Sequence, residues 1–91
     1  METVAVATKK ILVVDDEPDV ASLITLILSS QGYTVINAAD GPEALEKARG
    51  QNPDLVLLDV MLPRMDGYKV ARILKFDENY QHIPIIMLTA K

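Results

Sequence analysis

Three carboxylates stand directly after two short apolar runs. Ile11-Leu12-Val13-Val14 ends in Asp15-Asp16, and Leu55-Val56-Leu57-Leu58 ends in Asp59. If both runs are buried parallel strands, Asp15, Asp16 and Asp59 reach one edge of a sheet. That edge, at the strand C-termini, is where open α/β sheets bind ligands. Three converging carboxylates repel one another unless a cation neutralises them, and hard oxygen ligands suit Mg²⁺. Once the phosphoryl charge is neutralised, a carboxylate can attack phosphorus, so the pattern points to covalent aspartyl-phosphate chemistry at Asp59. Thr89 follows a further apolar run, Ile85-Ile86-Met87-Leu88, where its hydroxyl can donate to a phosphoryl oxygen. Asp40 and Asp66 differ from the trio, because each precedes a helical segment and reads as an N-cap.

The elements that must position these groups alternate along the chain. Ile11 to Val14 reads as a strand buried on both faces. Pro18 suits the first turn of a helix. Val20, Leu23, Ile24, Ile27 and Leu28 then follow the spacing of one inner helical face, and Gly32 ends the helix. Tyr33 to Ala38 is more polar and reads as an edge strand. Asp40 and Glu43 have capping-box spacing before a short helix striped by Ala44, Leu45 and Ala48, which Gly50 and Pro53 close. Leu55 to Leu58 is the third strand. Asp66-Gly67 opens a third helix with Val70, Ile73 and Leu74 inward, and Pro84 leads into the fourth strand. The order β-α-β-α-β-α-β, with right-handed crossovers, gives an α/β fold: a three-layer, doubly wound parallel sheet.

The bulk numbers agree with one small domain. The chain has 91 residues, 49% of them hydrophobic and 24% charged. A net charge of −4 argues against a direct nucleic-acid surface. The absence of cysteine excludes disulfides, thiolate chemistry and cysteine-ligated zinc. No apolar run is long enough to cross a bilayer, and the N-terminal residues lack a signal-peptide core, so no membrane role and a cytoplasmic location are expected. The lone His82 sits in a loop before Ile83-Pro84 and reads as a surface residue. Leu26 falls off the inner face of the first helix, and Arg64, Lys69, Arg72 and Lys75 read as a solvated face.

Taken together, Ile11-Leu12-Val13-Val14-Asp15-Asp16-Glu17, the segment from Leu57 through Asp59, Met61, Pro63 and Asp66 to Gly67, and Pro84 to Ala90 resemble the receiver domain of two-component response regulators. The resemblance spans about Lys10 to Lys91, leaving residues 1–9 as a tail. It implies the flavodoxin-like sheet order 2-1-3-4. It implies a phosphorylation-dependent switch that accepts a phosphoryl group onto Asp59 from a partner phosphohistidine, on a histidine kinase or a histidine phosphotransfer protein. Asp16 would then bind Mg²⁺ directly, Asp15 largely through water, and the Met61 backbone carbonyl would complete the protein ligands. Thr89 would be the switch residue, and Pro63 and Gly67 would shape the loop carrying Met61. Kinases and phosphotransfer proteins would dock on the first helix, with Asp19, Ser22 and Leu26 as contacts. Such a domain assists its own phosphorylation and is not otherwise an enzyme.

The same resemblance implies that a fourth helix, a fifth strand and a fifth helix are missing. The lysine that contacts the phosphoryl oxygens belongs to that part, and Lys91 does not match it. The expectation is slow phosphorylation of the isolated chain. Self-association through the exposed fourth strand, capture of a complementing fragment, or a loosely packed, aggregation-prone state is also expected, in that order of preference. The alternative function is a truncated receiver fragment that assembles without signalling. Two other classes fit worse. A phosphatase of the haloacid dehalogenase type needs an acid–base Asp where Met61 stands. A flavodoxin-like cofactor binder needs a Gly/Ser/Thr phosphate loop where Asp15-Asp16-Glu17-Pro18 stands.

Overall fold

The computed structural model describes residues 8–88. Seven elements alternate: β1 (Lys10–Val14), α1 (Pro18–Ser30), β2 (Thr34–Ala38), α2 (Gly41–Gln51), β3 (Leu55–Asp59), α3 (Gly67–Lys75) and β4 (Ile85–Leu88). The four strands form one parallel sheet in the order β2-β1-β3-β4, as the resemblance implied. The register aligns Val14 with Leu58 and Asp59 with Leu88, so the strand ends carrying Asp15 and Asp59 lie level.

Alternation along the strands divides the apolar residues between two faces. Leu12, Val14, Ile36, Ala38, Val56 and Leu58 pack with Ala44, Leu45 and Ala48 of α2, Val70 and Leu74 of α3, and Ile83. Ile11 and Val13, also buried, face the side on which α1 lies. β2 is an edge strand, and its burial alternates as its mixed sequence requires.

The first helix departs from its expected pattern. None of its residues is fully buried, and two members of the anticipated inner face, Leu23 and Ile27, are 58% and 53% exposed. Val20, Ile24 and Leu28 are half-buried. A helix of this spacing has an apolar stripe wider than one strand pair can cover, so its flank stays open. Ile86 of β4 is 49% exposed, and β4 pairs on one side only among the described residues.

The helix termini follow local chemistry. Pro18 sits in the first turn of α1, where a missing N–H costs no hydrogen bond. At its end the Tyr33 amide donates to Leu28 and the Gly32 amide to Ser29, a Schellman closure with Gly32 at φ +93°. Tyr33 is thereby held in the turn, and β2 begins one residue later than expected. For α2 the expected closure by Gly50 is corrected, while Pro53 does follow directly on the helix cap. Gly50 lies within the helix, and Asn52 adopts the left-handed conformation at φ 45°. Asparagine tolerates that region through local side-chain hydrogen bonding, so it can take the role usually given to glycine. Asp40 and Asp66 cap α2 and α3, accepting from the amides of Glu43 and Lys69 at 2.9 Å each. The Glu43 carboxylate reaches back to the Ala39 amide at 2.8 Å, one residue before the cap.

Candidate functional site

The loops after β1 and β3 meet at the C-terminal edge of the sheet. Side-chain oxygens of Asp15, Asp16 and Asp59 all lie within 4.8 Å of one another. Two oxygens on opposite sides of a Mg²⁺ ion, each at about 2.1 Å, are about 4.2 Å apart. The trio therefore has about the span of ligands gathered around one ion. No other carboxylate, His or Cys group of this kind occurs among the described residues.

The three carboxylates are not equivalent. Asp15 and Asp59 are buried, at 8% and 6% exposure, while Asp16 is exposed. Asp15 Oδ1 accepts from the Glu17 amide at 2.9 Å, which fixes the turn into α1. Burial pushes the Asp15 carboxyl above its ordinary range; the charges of Asp59, Asp16 and Glu17 add to this, and the Glu17 hydrogen bond opposes it. Asp59 Oδ1 accepts from the Met61 amide at 3.0 Å, folding the turn after β3. Its Oδ2 makes no hydrogen bond within the described residues, yet it is not sealed in the core. A carboxylate with one oxygen pinned and the other open to the surface is held in the orientation a nucleophile needs.

A groove of about 710 Å³ opens at this edge, lined by Asp16, Asp59, Met61, Leu62, Pro63, Asp66 and Tyr68 among others. Asp16 faces into it together with Asp59; Asp15 does not, and borders a separate hollow beside Ala38 and Lys47. Met61 lies at the rim with 65% exposure. Thr89 lies outside the described residues; β4 ends at Leu88, whose carbonyl accepts from the Val60 amide at 3.2 Å.

Two close approaches shape the loop between β3 and α3. The Gly67 amide donates to the Val60 carbonyl at 2.9 Å. A side chain at Gly67 would overlap the Asp59 carbonyl oxygen and come within 3.0 Å of the Asp59 carbonyl carbon. The start of α3 thus rests directly on the Asp59 backbone. Gly41 allows a second approach, since a Cβ there would lie 2.7 Å from Met65 Cβ. Arg64 adopts φ 66°, unusual for a side chain with a Cβ, and its guanidinium donates to Asp40 Oδ2 at 2.8 Å. Asp40 therefore caps α2 with one oxygen and ties down the loop with the other. The sequence alone assigned Arg64 to a solvated face; its tie to Asp40 spans 24 positions and leaves no local signal. Tyr68 was likewise not singled out for the groove, although its place next to Gly67 carries that information.

The family model for the response regulator receiver domain matches residues 11–91. The chain is 52% identical over 83 residues to the alkaline phosphatase synthesis transcriptional regulatory protein PhoP of Bacillus subtilis, covering 91% of this chain and 34% of that protein. Among solved structures it is similar to the N-terminal domain of a response regulator receiver protein from Methanoculleus marisnigri. The TM-score is 0.89 at 42% identity, over 93% of this chain and 69% of that one. It is also similar to the response regulator TrrA from Thermotoga maritima in complex with Mg²⁺-BeF, with a TM-score of 0.85 at 40% identity, over 92% of this chain and 71% of that one. The chain thus spans about a third of the length of the curated relatives it matches.

Proposed function

This chain belongs to the response regulator receiver domain family, and from that premise we propose that Asp59 accepts the phosphoryl group of a two-component phosphorelay. The observation that carries this reading is the asymmetry of the Asp59 carboxylate, with Oδ1 held by the Met61 amide and Oδ2 without a hydrogen bond among the described residues, on a residue that lines the groove. Receiver domains are phosphorylated by histidine kinases or histidine phosphotransfer proteins, and the family acts in signalling. The reading assigns the domain to residues 10–91, with residues 1–9 as its leading tail.

In the proposed reaction Asp59 Oδ2 attacks phosphorus in line with the leaving nitrogen. The O–P bond forms as the P–N bond breaks, and the electron pair stays on the imidazole, which takes a proton from solvent. Bound Mg²⁺ supplies neutralisation of the phosphoryl charge. Asp16 and Asp59 would hold it directly, with the Met61 carbonyl as the third protein ligand and Asp15 acting through water. The span of the trio and the Mg²⁺ in the similar TrrA complex support this assignment. Thr89 follows the register partner of Asp59, and its hydroxyl would report the modified state by donating to a phosphoryl oxygen. A groove between α1 and the edge strand β2, lined by Pro18, Ala21, Ser22, Thr25, Leu26 and Asn37, suits the docking of the donor protein. The one-sided pairing of β4 supports the companion proposal that copies of this chain associate through that strand.

The test is phosphorylation in Mg²⁺, read by mass spectrometry, with the donor protein present and Asp59→Asn as the comparison. An acid-stable, base-labile adduct in the wild type and its absence in the variant is the expected outcome. Equal modification of the variant refutes the assignment of the acceptor. Mg²⁺ alone should raise the unfolding midpoint, and Asp16→Ala should lose more of that rise than Asp15→Ala.

A further inference from the structure

The outer face of α3 carries a charge opposite to that of the whole chain. The nine residues of the helix include Lys69, Arg72 and Lys75 and no acid, on a protein of net charge −4. Tyr68, Arg72 and Phe76 stand one above another at i, i+4 and i+8, and Lys69 and Lys75 flank that row. All five are exposed, away from the buried stripe of Gly67, Val70 and Leu74. The result is a ribbon in which a guanidinium lies between two aromatic residues.

The needs of the fold do not explain this ribbon. Cations in the last turn of a helix complement its dipole, which covers Arg72 and Lys75. Lys69 lies in the first turn, where the same dipole opposes it. Lys75 is spent within the chain, since its ammonium donates to the carbonyls of Gln81 and Ile83 at 3.4 and 3.3 Å. The ion pairs among the described residues join Lys47 to Glu43 and Arg64 to Asp40, so Lys69 and Arg72 have no carboxylate partner there. Phe76 is 84% exposed, more than any other large apolar side chain among the described residues, and does not pack on the core. Its backbone is nonetheless fixed, because its amide donates to the Arg72 carbonyl at 3.1 Å and closes the helix.

A second copy of the chain does not suit this face, because a symmetric contact would set Lys69 and Arg72 against the same cations. A nucleic-acid backbone does not suit it either. Asp66 precedes α3 and Asp77 and Glu78 follow it, so the cationic stretch is only about 13 Å long. We propose that the outer face of α3 docks a short acidic segment of a partner protein, with its carboxylates on Lys69 and Arg72 and an apolar side chain on Phe76. Charge orients such a contact, and the desolvated ring anchors it. The proposal does not depend on the reading of Asp59 as the acceptor.

The test is the binding of labelled probes to the full chain at physiological salt, read by fluorescence anisotropy and by amide NMR. The first probe is a helical peptide of glutamates with leucine and tryptophan along one face. The second has serine at every apolar position, and the third is a thymidine oligonucleotide of equal charge. The first peptide should bind with shifts centred on the amides of Tyr68 to Phe76. It should bind about tenfold more tightly than the second, the factor that burial of one large apolar side chain supplies. Phe76→Ala should remove most of that factor, and Arg72→Glu should weaken binding about five- to tenfold. Lys9→Glu makes the same charge change beside the start of β1 and should alter binding by less than about twofold. Phe76 and Arg72 are exposed and outside the core, so both variants keep the fold. Equal binding of the two peptides, full binding by Phe76→Ala or Arg72→Glu, or an equal loss in Lys9→Glu overturns the proposal. So does tighter binding of the oligonucleotide, a shift pattern centred away from α3, or no binding of the first peptide.

Discussion

Gly67→Ala should damage both the fold and the site, and the reason can be followed atom by atom. The added methyl would overlap the Asp59 carbonyl oxygen and lie 2.9 Å from Val60 Cα and 3.0 Å from the Asp59 carbonyl carbon. All three are backbone atoms of β3 and the turn after it, so no side chain can rotate away. Normal contact requires α3 and the Asp59 turn to part by about 1 Å, and a displacement of that size at a reacting centre costs on the order of 100-fold in rate. The Gly67 amide would also lose its 2.9 Å bond to Val60. Overpacking costs about 1–3 kcal/mol, and a lost hydrogen bond adds about 0.5–1.5 kcal/mol. The expected loss of about 2–4 kcal/mol is a large part of the stability of a small domain. Gly50→Ala is the matched control. It lies inside α2 with no atom within 4 Å of its added methyl, so it should stabilise by about 0.5–1 kcal/mol. Urea unfolding of both variants at one protein concentration, with Mg²⁺ affinity measured alongside, makes the comparison. A Gly67→Ala midpoint equal to or above that of the wild type would show that the loop absorbs the methyl, and the argument from close backbone approach would fail.

Other perturbations follow from the same geometry. Because burial raises the Asp15 carboxyl, the metal-free fold keeps a proton that the unfolded chain has already released. Its stability should therefore fall as pH rises from the ordinary carboxylate value through the raised one, with the penalty complete above it. Asp15→Asn should remove that trend in EDTA; a wild-type-minus-variant difference that is flat with pH, or of opposite sign, contradicts it. Asp40→Ala should cost about 0.5–2 kcal/mol through the lost α2 cap, whereas Arg64→Ala, which removes only an exposed ion pair, should cost about 1 kcal/mol or less; denaturation of both variants gives the order. Ile86→Lys places a charge on β4, and if copies pair through that strand as proposed, sedimentation should show weaker association than in the wild type.

Local chemistry explains what was legible in the chain. Continuous apolar runs ending in Asp15-Asp16 and Asp59 mark the two central strands and what their ends carry, although only β1 is buried on both faces and Leu55 and Leu57 of β3 are half-buried. The caps at Asp40 and Asp66 were legible for the same reason, since a cap bonds within three residues of itself. The α2 terminus was misplaced at Gly50 because residues that tolerate a left-handed turn compete, and the sequence does not say that Asn52 wins. Tertiary structure decided what depends on distant partners. Leu23 and Ile27 obey helical spacing, yet stay exposed because burial requires a neighbour as well as a periodicity. Asp15 and Asp16 are adjacent in sequence and alike in type, and only the turn into α1 makes one buried and turned from the groove while the other faces it. The tie between Arg64 and Asp40, and the close approach of Gly67 to the Asp59 backbone, exist only once the fold has brought separate segments to one edge.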